Sequence, residues 1–212
     1  MVQNAQTMLS FLFSDPALFL IWGAALLVAI TIHEFSHAWM ANRLGDPTPR
    51  LQGRLTLNPL AHLDPVGTLM LLLVRIGWGK PVQFDPYNLK NPKKDAALIS
   101  LAGPASNIIL AAVLAIILRL TQSPIIAPFI LLNVVLAIFN LVPIHPLDGG
   151  KILVGLLPDK DARQVDLFLN RYGLIILLLI IFPWAGVSPV FLLISPIINL
   201  FLNLFIPGGL MI

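Results

Sequence analysis

The sequence predicts an all-α polytopic membrane protein. About five transmembrane helices are expected, with a re-entrant segment and a small β element between the first two long spans. Three observations carry this. The 212 residues are 58% hydrophobic and 11% charged, against roughly 45–50% and about 25% in ordinary soluble domains. Mean hydropathy is +0.90. The apolar residues fall into long uncharged runs rather than short amphipathic stripes. So little charge cannot cover a soluble globule, which argues against a soluble enzyme or a disordered chain and for the lipid bilayer as partner.

The first run begins at residue 17 and continues as a helix to about Met40. At 1.5 Å per residue it reaches about 36 Å, more than a hydrocarbon core of about 30 Å. No Lys or Arg precedes it, so it lacks the basic start of a signal peptide. Residues 96–118 form a second uncharged run, interrupted by Gly103-Pro104, and residues 124–144 a third. No charge occurs from Tyr172 onward, and Pro183, Gly186 and Pro189 divide that stretch. It reads as one helix from about Lys160 to Phe182 and another from about Val190 to Phe205.

Residues 66–76 are apolar but reach only about 17 Å as a helix, which suggests a re-entrant or interfacial piece. Basic residues flank it on both sides: Arg43, Arg50 and Arg54 before it, then Arg75, Lys80, Lys90, Lys93 and Lys94. The positive-inside rule puts both groups in the cytoplasm, so the chain between them is not expected to cross. Arg119 alone marks an outer loop, and Lys151, Lys160, Arg163 and Arg171 mark an inner one. The N-terminus is then expected outside. Segments 51–57 and 80–84 partly alternate apolar and polar residues between Gly, Pro and Asn, so both are expected as short strands. The bases are scattered, and the formal charge is +3, so no nucleic-acid partner is expected. Cysteine is absent, which excludes disulfides and thiolate metal sites.

The polar inventory points to chemistry. Four histidines occur, His33, His37, His62 and His145, and the single glutamate, Glu34, lies between the first two. His33-Glu34-Phe35-Ser36-His37 fits H-E-x-x-H. On a helix its histidines lie about 40° apart in azimuth, so both imidazoles face one side. Glu34 lies near enough to reach a water there. Two neutral imidazoles suit zinc, and a nearby carboxylate can take a proton from water. Ionisable groups at membrane depth are costly and mark function. A polar cluster that only packs helices is the bland alternative.

Two histidines leave zinc short of a ligand, because catalytic sites usually use three protein ligands. Asp148 is the best distant candidate. It follows the third run, where Pro143 and Pro146 break the helix and Gly149-Gly150 let backbone pass closely. Asp46, Asp64, Asp85, Asp95, Asp159, Asp161 and Asp166 lie in charged loops and read as solvated or capping groups. Asn107 and Asn133 read most simply as interhelical hydrogen-bond partners. His62 reads as making a loop hydrogen bond.

Three motifs together give the chain a resemblance to the site-2 proteases, which are intramembrane zinc metalloproteases. These are H-E-x-x-H in the first long span, G-x-x-x-N at Gly103–Asn107, and N-x-x-P-x-x-x-x-D-G at Asn140–Gly149. The resemblance covers about residues 20–155. It implies Zn2+ held by His33, His37 and Asp148, Glu34 as general base, and Asn140 as a polar partner of substrate or intermediate. Asn107 and His145 are weaker candidates for such support. The chain departs from the family in lacking a long periplasmic insert and a C-terminal regulatory domain, and in having His145 where proline is commoner.

The expectation is one membrane protease domain over 1–212, with its catalytic core at about 17–155 and C-terminal helices at about 160–206. Its partner would be a transmembrane protein substrate, cleaved within or near its span, and a homo-oligomer is left open. The protein would be multi-pass, in the cell membrane if prokaryotic, with the active site toward the cytoplasm. Helix-breaking residues in the substrate would help to expose its carbonyls, and an edge at 50–57 or 80–84 could hold it by strand addition. The competing readings are a zinc or other metal ion transporter and a non-catalytic metal-binding scaffold. A transporter should show several intramembrane carboxylates and repeat symmetry; the sequence has one cluster and no repeat.

Overall fold

A computed structural model describes residues 14–74, 77–184 and 186–206. The chain is helical through most of that length. α1 (Pro16–Leu44) starts where the Asp15 carboxylate accepts the Leu18 N–H at 3.0 Å and Pro16 occupies the first turn. It stops at Gly45, whose φ of +110° favours glycine. A short α2 (Thr48–Leu51) and a 3-10 turn (Pro59–Ala61) lead to α3 (Pro65–Val74). Then come α4 (Pro92–Thr121), α5 (Ala127–Asn140), α6 (Asp148–Leu156), α7 (Asp159–Ile181) and α8 (Pro189–Phe205).

α1, α4 and α7 are long and apolar enough to cross a membrane, and two shorter apolar helices lie at Pro124–Asn140 and Pro189–Phe205. Their outer faces carry large exposed apolar side chains, among them Leu20, Ile109, Leu174 and Leu193. α1 packs chiefly against α4 and α5, and α4 also carries α6. On α1 the buried residues include Ala25, Ala29, His33, His37 and Ala41, one every fourth position and so on one face. The alanines let α4 and α5 come close, as small residues do between membrane helices, and the histidines lie inside that seam. A second apolar core joins Leu118 of α4, Val134 of α5 and Ile194 of α8.

The expected β element is absent among the described residues. In the first segment Leu51 ends α2, and residues 52–57 are turns and irregular chain, with Gly53 at φ +69°. Residues 80–84 are extended but have no partner strand, and one isolated bridge joins Leu63 to Gly79. The physical reason is a buried arginine. The Arg54 guanidinium donates to the carbonyls of both Ala61 and Lys80, doing with a side chain what a ladder would do with backbone. His62 is fully buried, and its Nε2 donates to Thr56 O at 2.8 Å, the loop bond expected for it. Gly103-Pro104 does not interrupt α4, which runs through both residues. The apolar run at 66–76 begins as α3; residues 75 and 76, Arg75 included, lie outside the described residues.

Candidate metal centre

His33 and His37 project from α1 into the seam with α4, both buried. Their rings meet edge to face, with centroids 4.6 Å apart. Asp148 enters at the first turn of α6, with its Oδ2 at 3.1 Å from His33 Nε2 and 3.3 Å from His37 Nε2. One donor atom from each of the three lies within 4.8 Å of the other two.

The far side of each ring determines what the near side offers. His37 Nδ1 lies 2.7 Å from Ile99 O. A carbonyl only accepts, so Nδ1 carries a hydrogen, and in the neutral ring Nε2 is then the nitrogen that keeps a lone pair. His33 Nδ1 lies 2.6 Å from Asn107 Oδ1. The Asn107 amide donates to Ala29 O at 3.0 Å and Asn133 Oδ1 at 2.7 Å, and Asn133 donates to Phe129 O at 2.8 Å. This chain of donors fixes Asn107 Oδ1 as the acceptor toward His33. The interhelical Asn107–Asn133 pair is therefore present, and it also orients a histidine. Asn107 is fully buried behind the ring, away from the cavity wall.

With both rings neutral, two imidazole lone pairs and a carboxylate oxygen converge on one point, the donor set of a cation site. Ligands about 2.0 Å from a tetrahedral zinc lie about 3.3 Å from one another, which matches the 3.1 and 3.3 Å from Asp148 Oδ2 to the two Nε2 atoms. The donor set fits Zn2+.

Two glycines make the approach possible. A Cβ on Gly103 of α4 would lie 2.5 Å from His37 Cε1 and 2.8 Å from His33 Cε1. A Cβ on Gly149 would lie 2.5 Å from the Leu141 carbonyl carbon. The first glycine leaves room for the rings, and the second lets the start of α6 sit against the turn after α5.

A cavity of about 570 Å³ opens beside the three donors and is lined by Glu34, Asn140, Trp78 and Val82 among others. Glu34 Oε2 accepts the Val82 N–H at 3.0 Å. Asn140 donates to Leu136 O at 2.9 Å from the cavity wall. His145 lines a neighbouring groove instead, where its Nδ1 lies 3.1 Å from Asn170 Oδ1.

Asp46, which the sequence reads as a solvated or capping group, is a buried cap and clamp. Its carboxylate accepts from Thr48 N at 3.0 Å, Thr48 Oγ1 at 2.6 Å, Asp85 N at 2.7 Å and Asn88 Nδ2 at 2.8 Å. Burial pushes its carboxyl pKa up, but these bonds outweigh burial and hold it below the ordinary value. The clamp ties residues 85–88 to the end of α1 and so brings Val82 to Glu34. Asp46-Pro47-Thr48 carries a local signal for a capping acceptor; the partners near residue 85 carry none.

An intramembrane seam holding a His2Asp donor set beside a glutamate defines a metallopeptidase-type centre. The model of peptidase family M50 matches residues 120–180. "Putative zinc metalloprotease YwhC" of Bacillus subtilis is 38% identical over 73% of this chain and 77% of its own length. "Putative zinc metalloprotease Rip2" of Mycolicibacterium smegmatis is 32% identical over 80% of this chain and 70% of its own length. "Zinc metalloprotease MJ0392" of Methanocaldococcus jannaschii is 25% identical over 80% of this chain and 44% of its own length. No solved structure matches the chain. The chain belongs to peptidase family M50, the site-2 proteases, and is an integral membrane zinc metalloprotease.

Proposed function

We propose that the chain hydrolyses peptide bonds within or near the transmembrane segments of membrane proteins, with residues of about 17–155 as the catalytic core. His33, His37 and Asp148 hold the zinc, and Glu34 is the general base. The observation that carries this is the convergence of both Nε2 lone pairs on Asp148 Oδ2 at 3.1 and 3.3 Å, beside a cavity that Glu34 lines.

Zinc bound there supplies a Lewis acid that polarises a scissile carbonyl and raises the acidity of water. The chain does the rest. Asn107 and the Ile99 carbonyl hold the rings in one tautomer. Val82 N–H holds Glu34 Oε2, which leaves Oε1 to accept a proton from water and return it to the leaving amine. Asn140, on the cavity wall, donates to substrate. The extended 80–84 segment runs along the same cavity, and an unwound substrate lies against it.

Five spans, formed by α1, α4, the Pro124–Asn140 stretch, α7 and α8, with α3 re-entrant, suit the distribution of basic residues. The same distribution puts the centre toward the cytoplasm. A metal transporter is the weaker reading, because among the described residues one His/Asp cluster is present and no series of carboxylates leads from it. The deciding experiment is cleavage of a transmembrane peptide carrying a helix-breaking residue, by zinc-loaded protein in liposomes. Hydrolysis by the wild type and none by Glu34→Gln supports the protease; metal flux with no hydrolysis in either protein overturns it.

A further inference from the structure

A second groove of about 830 Å³ adjoins the metal cavity. The two share one wall, made by Pro81, Val82, Phe84, Pro146 and Lys151. Lys151 is anchored on that wall, its Nζ 4.7 Å from the centre of the Phe84 ring. Arg163 lines the second groove, as do Lys93, Asp159 and Asp166. Lys93 is already neutralised, since its Nζ bonds the Asp159 carboxylate at 2.5 Å and Leu157 O at 2.8 Å. Asp166 lies 4.0 Å from His145 Nε2. Among the described residues Lys151 and Arg163 make no ion pair. Asp148, Glu34 and Asp166 act on Lys151 from beyond ion-pair distance. The groove is lined by Lys93, Lys151 and Arg163 against Asp159 and Asp166, so it keeps a net positive charge with two cations free to pair with a ligand.

We propose that this groove is a specificity site for substrate, in which Lys151 and Arg163 select an acidic residue on one flank of the scissile bond. The inference rests on the protease reading above. A peptide held at the donors and leaving past Phe84 must pass Lys151, because Lys151 lines both spaces. An Asp or Glu carboxylate there meets an ammonium tethered to a ring and then a guanidinium suited to bidentate contact. A lysine at the same place is repelled, so discrimination comes from both attraction and repulsion.

The test uses the full chain, zinc-loaded, in liposomes of zwitterionic lipid. Three series of transmembrane peptides carry Asp, Asn or Lys scanned through several positions on each side of the scissile bond. In the wild type, Asp on one flank is expected to raise kcat/KM about fivefold over Asn, and Lys to lower it by a similar factor, the scale of a partly exposed ion pair. Lys151→Met and Arg163→Met are expected to shrink the Asp/Asn ratio toward one, and Lys151→Glu to invert it in favour of Lys. A ratio needs no matched absolute activity, and zinc content reports whether each variant is folded. Equal rates for the three series in the wild type would overturn the site while leaving the protease reading intact. So would a preference that survives in both Met variants. A rate that follows added anionic lipid through Lys151, and ignores the peptide flank, would assign the groove to headgroups and also overturn it. If no peptide is cleaved by zinc-loaded protein, the protease reading fails and the specificity site falls with it.

Discussion

Asn107 Oδ1 lies 2.6 Å from His33 Nδ1, across the seam between α4 and α1. That bond decides which nitrogen of His33 faces Asp148. The amide is itself aimed by Ala29 O and Asn133, so the coordinating atom of one helix is oriented by two others.

Removing that acceptor should therefore weaken the metal without touching a ligand. Asn107→Leu frees the ring and leaves Nδ1 without a partner. Zinc affinity, measured by competition with a chelating dye, should fall about 10–100-fold, the usual cost of losing such a partner. Unchanged affinity would mean that packing alone orients His33.

Gly103→Ala should act on the same rings sterically. The added Cβ would meet both imidazoles, and overpacking of this kind costs about 1–3 kcal/mol. If the cost falls on the metal-bound state, zinc binding weakens about tenfold to hundredfold. Full zinc occupancy in the folded variant at limiting metal would contradict this.

Glu34→Gln should separate binding from catalysis. The amide cannot take a proton, while His33, His37 and Asp148 are untouched. Zinc content stays at the wild-type level, and cleavage drops by about 10²–10⁴-fold, the usual contribution of a general base. Wild-type turnover in the variant would remove Glu34 from its role.

Asp46 gives a pH signature away from the metal. Its folded pKa is lowered, so its contribution to stability is present above the ordinary carboxylate range. That contribution is lost as pH falls through the folded value. Asp46→Ala leaves buried donors unpaired and should cost about 1–3 kcal/mol at neutral pH. The gap in Tm between wild type and variant should narrow on acidification. A gap that widens toward low pH would show that the carboxylate is not the stabilising form.

The orientation of the chain can be read by labelling. Lys94 is exposed in the first turn of α4, and the chain has no cysteine of its own. Lys94→Cys should react with a membrane-impermeant maleimide only from the cytoplasmic face. Reaction from the outside alone would make the segment that begins with α3 a true crossing.

Much of this protein was legible in one dimension. His33, Glu34 and His37 declare themselves because helical geometry is local: a spacing of four puts two rings on one side whatever surrounds them. The break between α7 and α8 follows from Pro183, Gly186 and Pro189, which limit helices by their own chemistry. Membrane character follows from composition.

Tertiary structure decided the rest, because it depends on partners far away in sequence. Asp148 is 111 residues from His37; its Pro and Gly neighbours make it a candidate, but only α6 lying on α4 brings its carboxylate to the two rings. Pro104 looks like a break, yet α4 packs on α1, α5 and α6 and continues through it. Residues 51–57 and 80–84 have the alternation of strands, but the Arg54 side chain of the first takes the Lys80 carbonyl of the second, and Ala61 O beside it, where no backbone ladder forms. Asp46 looks like a surface cap until Asp85 and Asn88 bring their donors to it. Periodicity and ligand spacing travel with the chain; burial, second partners and the clearance at Gly103 exist only once the helices meet.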